Sequence, residues 1–295
     1  MKLKQGNTPN KASNVPKTNR RKNKMLEMPL LEMSLLDKEI TIVLFSIYGL
    51  LIGSFLNVVA FRLPKGNTLM GRSSCPHCKT QLKWYHLVPV FSWIFLRGRC
   101  GFCKNDVSAR YPFVEIITSV IFLSSILFTD EIIGGLFLAI AVSLLFVLAI
   151  IDYDNMDVPD SINFLSLLFA LMYAFTAETS LETSFITAGV LILLIYAVES
   201  LTPNHTKIMG EGDIIVFATI AALVGTLHDT FFVFIIACFL MLPISFDIKK
   251  GKVVIKRGQV IPFVPFLFVS FIIVFIIKHF DMPLYQWIKE IYSIS

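Results

Sequence analysis

The amino-acid sequence predicts an all-α polytopic membrane protein, with about eight transmembrane helices and a small zinc-ribbon-like loop domain carrying four cysteines. Three observations carry that prediction. The 295 residues are 55% hydrophobic and only 16% charged, with 27 Phe, and the mean hydropathy is +0.72. That balance leaves more apolar surface than a soluble globular domain can bury. Runs close to the roughly 20 apolar residues that cross a bilayer recur, among them Ile40 to Ala60, Ile132 to Ile151 and Val260 to Ile277. The basic residues collect before the first run and in a few connections between runs, which is how membrane topology is written in a sequence.

Residues 1–39 are basic, Asn-rich and without sustained periodicity, and read as a disordered tail. The first long apolar run starts only near Ile40 and has spanning length, which argues against a cleaved signal peptide. Spans are expected near 40–60, 112–129, 132–151, 161–176, 184–202, 213–227, 229–246 and 260–278. The domains are accordingly tail 1–39, first transmembrane helix 40–61, cysteine loop domain 62–111, membrane domain 112–278 and C-terminal tail 279–295. The fourth and sixth spans are short, and the turn at His228 and Asp229 also fits a re-entrant hairpin.

The formal net charge of +5 reflects topology, so no nucleic-acid partner is expected; the partner is the lipid bilayer. The loop 62–111 and the loop 247–259 are both rich in Lys and Arg, whereas the turns 129–131 and 177–183 carry acid and no base. Eight spans place the two basic loops together on the cytoplasmic side and the two acidic turns outside. The basic tail disagrees, since the same parity sends it outside. Nothing in the sequence sets an oligomeric state.

Acids at a membrane edge are costly and are candidates for function. Asp152 closes the third expected span and Asp213, in Gly210-Glu211-Gly212-Asp213, opens the sixth. The parity puts both at one depth on the cytoplasmic face. Two adjacent carboxylates do not readily both ionise, so one can act as base on a water while the other serves as acid toward a carbonyl. Gly210 and Gly212 would permit an unusual backbone or the close approach of a substrate strand. Taken singly, each acid also reads as a solvated side chain at a helix end. Asp154, Asp157 and Asp160 read as a solvated loop, with Asp160 a plausible N-cap for the next span.

Cys75-Pro76-His77-Cys78 and Cys100-Gly101-Phe102-Cys103 are separated by 21 residues, close to the spacing of a four-cysteine structural zinc site. Four thiolates complete a tetrahedron, which leaves His77 and His86 as surface residues. A disulfide or redox role is the weaker reading for a cytoplasmic loop. Cys238, inside an apolar run, reads as a packed thiol.

Together these motifs carry a resemblance. Asp152 with Pro159-Asp160, GEGD at 210–213, GSFLNVVAFRLP at 53–64, the two CxxC pairs and YPFVE at 111–115 resemble the motifs of prepilin peptidases, also called type IV leader peptidases. The resemblance covers nearly everything from Gly53 to Leu267, in the family's order. It implies a membrane aspartyl endopeptidase of the bacterial inner membrane with Asp152 and Asp213 as catalytic pair. Prepilin or pseudopilin precursors are the implied substrates, cleaved at the cytoplasmic face. It also implies N-methylation of the new amino terminus from S-adenosylmethionine, for which the chain shows no glycine-rich nucleotide motif. Arg110 and Glu115 are candidates for substrate or methyl-donor binding, with a membrane-edge ion pair as the alternative for Arg110. One departure stands out: Pro262-Phe263-Val264-Pro265 carries Val264 where the family usually has glycine. Two other readings stay open, a general intramembrane GxGD protease of the presenilin kind and a non-enzymatic ion or metal transporter.

Overall fold

The computed structural model describes residues 35–129, 131–177, 210–249, 252–255 and 261–279, with isolated positions between 186 and 200. The chain forms two units, Met1–Thr41 and Ile42–Ser295. The first contributes only the opening turns of a helix to the described residues, and the membrane bundle and the cysteine domain belong to the second.

Helix α1 (Leu35–Arg62) is apolar nearly all round and ends on a basic residue that complements its dipole. Arg62 then donates to the carbonyl oxygens of Leu69 and Met70, both at 3.2 Å, gathering the connection behind the helix. The cysteine domain comes next, with a short helix α2 (Phe91–Phe95), and leads into α3 (Arg110–Phe128). Gly49 and Gly53 let α1 and α3 touch backbone to backbone, since a Cβ there would lie 2.6 Å from Ser119 Cα and 2.7 Å from Glu115 Cα. Small residues four apart are the usual device for close helix packing in lipid. Ser119 Oγ donating to Ser46 O and Asn57 Nδ2 donating to Tyr111 O fix the register of the pair.

Helix α4 (Ile132–Asn155) is the centre of the bundle: 72% of its membrane window is buried, against 22–39% for the other long spans. It packs against α3, α5 (Asp160–Thr176) and α8 (Val264–His279). Met156 in the left-handed conformation ends it, returning its N–H to Asp152 O. Helix α6 (Glu211–Val224) closes on Gly225, also left-handed, where glycine carries no steric penalty. Helix α7 (Leu227–Ser245) begins two residues later.

Four helices among the described residues are long and apolar enough to cross a membrane: Lys38–Lys65, Arg110–Phe128, Ile132–Asn155 and Leu227–Ile244. Helices α5 and α8 are apolar but shorter, and α6, with 14 residues, is shorter still. The expected span 184–202 lies almost wholly outside the described residues, as do both tails apart from the start of α1 and His279 at the end of α8. The described spans are helical as expected, with one addition. The basic connection after α7 contains an antiparallel hairpin of β1 (Phe246–Lys249) and β2 (Lys252–Ile255), the second rich in the β-branched residues that favour a strand.

The turn at His228 and Asp229 is a buried polar latch. Asp229 is only 2% exposed; its carboxylate accepts from Thr226 Oγ1 at 2.6 Å and faces His228 Nε2 at 2.8 Å and Lys278 Nζ at 3.4 Å. Lys278 also donates to Val224 O at 2.7 Å. One lysine thus ties the last turn of α8 to the α6–α7 turn. Lys278→Met, which leaves a buried acceptor without its cation, is expected to lower stability by about 1–3 kcal/mol. Lys278→Arg should retain most of it; thermal unfolding of the detergent-solubilised protein checks both.

Candidate active site and metal centre

Asp152 sits in the last turn of α4 and is 5% exposed. Burying a carboxylate requires donors, and Val264 N–H supplies one, 3.0 Å from Asp152 Oδ2, from the first residue of α8. Asp213 lies three residues from the N-cap of α6, half-buried, with Gly210 N–H donating to its Oδ2 at 3.2 Å. Asp213 and Asp157 are both within electrostatic range of Asp152. The structure therefore gathers the two sequence-predicted acids at the end of one helix and the start of another.

The two glycines shape this turn in different ways. Gly210 has ordinary extended dihedrals and serves as N-cap, with no left-handed backbone. Gly212 does allow a close approach, but to the protein itself, because a Cβ there would lie 2.8 Å from Val158 Cβ. Asn163, fully buried on α5, donates from Nδ2 to Gly212 O at 2.8 Å and pins the same turn. The segment carrying Asp213 is thus pressed against the loop that comes after Asp152.

Two readings of neighbouring residues change. Asp154 is an ion-pair partner of Arg110 and not a merely solvated acid, so the start of α3 is clamped to the last turn of α4. That is the ion-pair alternative expected for Arg110. Asp160 is the first residue inside α5, with Pro159 in the N-cap position and no side-chain cap. Glu115 lies more than a turn inside α3, 7% exposed, and accepts the Val90 N–H at 2.7 Å; Ser54 also hydrogen-bonds it.

The four cysteines form two like knuckles. In each, the first cysteine's N–H bonds a carbonyl five residues on, Thr80 O at 3.0 Å and Asn105 O at 2.8 Å. Lys79 and Lys104 stand in the left-handed region at matching places, and the bridges Ser74 to Gln81 and Arg99 to Asp106 close both turns. All four are free thiols whose sulfur atoms lie within 4.8 Å of one another. Cys75 Sγ and Cys103 Sγ are 3.8 Å apart, which matches the edge of about 3.8 Å in a tetrahedron with Zn–S bonds near 2.3 Å. The Thr80 hydroxyl and backbone N–H hold the Cys78 thiol down at about 6. The N–H groups of Cys103 and Phe102 lower Cys100. The cluster is capable of holding a metal ion. His86 is occupied elsewhere, its ring lying over Gly101, where a Cβ would be 2.8 Å from Nε2, and edge-on to Phe102.

Between this domain and the ends of α1 and α3 lies a cavity of about 510 Å³, lined by Ser54, Asn57, Arg62, Tyr111 and Glu115 on the helix side. Sequence reasoning missed the donor from Val264. The signal was present: Pro262 and Pro265 have no N–H, so within that motif only Phe263 and Val264 can donate. Val264 is fully buried and does not have a positive φ, so this position makes no demand for glycine.

Known proteins resemble the chain over most of its length. Residues 47–129 match the family model described as "Bacterial Peptidase A24 N-terminal domain", and residues 139–246 match "Type IV leader peptidase family". The chain is 31% identical over 208 residues to the "Type 4 prepilin-like proteins leader peptide-processing enzyme" of Escherichia coli O78:H11, covering 63% of this chain and 77% of that one. It is 31% identical to the "Prepilin leader peptidase/N-methyltransferase" of Legionella pneumophila, over 76% of this chain and 87% of the relative. With the Vibrio cholerae protein of the same description the identity is 29%, over 79% and 96%. No solved structure matches.

Gly212→Ala forces its new Cβ into Val158, and overpacking of this kind costs about 1–3 kcal/mol. The expected result is a lower melting temperature that Val158→Ala, made in the same chain, partly restores. A Gly212→Ala protein as stable as wild type would show that the contact is soft.

Proposed function

The chain belongs to the type IV leader peptidase family, and on that premise we propose that Asp152 and Asp213 are the catalytic dyad of a prepilin-cleaving aspartyl endopeptidase. The observation that carries the proposal is a buried, backbone-tethered Asp152 within electrostatic range of Asp213, where two helices end and begin. One carboxylate removes a proton from a water that attacks the scissile carbonyl carbon, and the other gives a proton to the carbonyl oxygen. Collapse of the tetrahedral intermediate breaks the C–N bond, and a proton passes to the leaving amine. Loop charge and span parity favour the cytoplasmic face of the inner membrane for this site. A prepilin or pseudopilin with a basic leader in the cytoplasm and an apolar segment in the bilayer then presents its cleavage point at the depth of the dyad. A transporter reading is less favoured, since both family models that match the chain are of peptidases.

The cysteine knuckles are read as a structural zinc site held by Cys75, Cys78, Cys100 and Cys103. The metal would supply cross-linking to a domain with a thin core and no step of the cleavage. A second activity, N-methylation of the newly exposed amine, is favoured by the cavity beside Glu115. S-adenosylmethionine would supply the methyl group there, and the buried Glu115 carboxylate suits a ligand that carries positive charge.

Asp152→Asn and Asp213→Asn should each lower leader cleavage by about 10²–10⁴-fold. Mass spectrometry of a co-expressed precursor's N-terminus reads cleavage and methylation in one measurement. Wild-type processing by either variant sinks the dyad. Cys75→Ser is expected to lose bound metal and to melt earlier while retaining cleavage per folded molecule. Unchanged metal content and melting temperature in that variant would remove the zinc site.

A further inference from the structure

The cysteine domain presents an apolar face that neither the peptidase reading nor the metal site uses. Trp84 is 79% exposed and Phe95 82%, and Phe91 and Ile94 are exposed beside them. Leu87 and Val88 in the same stretch are exposed as well. In water such a surface would be a liability; its height on the molecule says what covers it.

That height is fixed by the hydrogen bond from Val90 to Glu115. Glu115 is five residues inside α3, about 7.5 Å from its start at 1.5 Å per residue. Ser54, which bonds the same carboxylate, is eight residues before the end of α1, about 12 Å from that end. The stretch around Val90 is therefore held alongside the two spanning helices, with Val90 below the level of Arg62. Its backbone is prepared for lipid, where an unpaired N–H is costly. Phe91, Ser92, Ile94, Leu96, Arg97 and Gly98 all donate to nearby carbonyls, and Val90 N–H has the Glu115 carboxylate. Lys83 and Arg97, both exposed, flank the patch as a basic rim.

We propose that Trp84–Leu96 is an interfacial wedge seated at the headgroup–acyl boundary of the bilayer, with Lys83 and Arg97 meeting the phosphates of anionic lipid. Aromatic rings and basic side chains around a short helical turn are the composition such segments use. The wedge sets the height of the cysteine domain and brings the mouth of the adjoining cavity to the membrane surface.

The test uses the full chain in lipid nanodiscs. Trp84 is one of three tryptophans, so its emission is the difference between wild type and Trp84→Phe. With lipids brominated near the top of the acyl chain that component is expected to lose most of its intensity, and aqueous iodide is expected to leave it unchanged. Phe95→Trp provides a second reporter with the same expected behaviour. Quenching of both reporters by iodide and not by brominated lipid overturns the proposal. Shielding that appears only when a prepilin is added also overturns it, and assigns the face to the substrate.

Discussion

A carboxylate at 5% exposure on the most enclosed helix of a membrane bundle needs hydrogen-bond donors, and the way Asp152 obtains one organises the rest of the structure. The donor is a backbone N–H at the start of α8. Pro262, before α8, and Pro265, in its first turn, have no N–H, so donation at this entry falls to the residues between them. Val264 meets both demands: its N–H faces the acid while its side chain joins the hydrophobic core. The family's usual glycine would offer the same N–H, and the Val264 side chain adds apolar burial without touching that function. At the other end of α8, Lys278 is held by Asp229 and Val224 O. The helix is therefore fixed at both ends, and the height at which Val264 meets Asp152 depends on a polar contact one helix length away.

The second acid is placed by packing rather than by a donor from afar. Gly212 allows α6 to begin against Val158, and Asn163 holds the carbonyl of that glycine from inside α5. Because Val158 lies only six residues after Asp152, the segments bearing the two acids are in direct contact. Asp213 is in turn steadied by the N–H of its own N-cap residue. Bringing two like charges together is unfavourable, and here backbone donors and close packing on both sides oppose their separation.

Much of this was legible in the sequence where the signal is local. The apolar runs marked most of the described helices to within a few residues, and the end of one run at Asp152 and the start of another at Asp213 marked where two helices end and begin. The spacing of Cys75, Cys78, Cys100 and Cys103 announced the knuckles, whose repeated turn geometry comes from two like stretches of chain. What was not legible depends on residues far apart in the chain. Nothing near Arg110 points to Asp154, and nothing near Glu115 points to Val90. The reading of Gly210 and Gly212 was incomplete for a related reason: a glycine signals closeness to something, and only the fold says that Gly212's neighbour within the chain is Val158.

Glu115 shows how one buried acid joins these levels. Had it faced water, the segment after Val90 would have no defined height, and the exposed Trp84, Phe91 and Phe95 would form an unanchored apolar patch. Buried between Ser54 on α1 and Val90 in the cysteine domain, it fixes the domain to the spanning pair and lines the cavity between them. Gly53 makes this arrangement possible, since any Cβ there would collide with the Glu115 backbone and force α1 and α3 apart. The glycine, the acid and the aromatic turn thus form a single dependency, in which helix packing sets the position of a carboxylate and the carboxylate sets the depth of a domain. Arg110, at the first position of the same helix, carries the rigid pair on to Asp154, two residues beyond Asp152. The height of the cysteine domain and the position of Asp152 are consequently referred to one helix, α3.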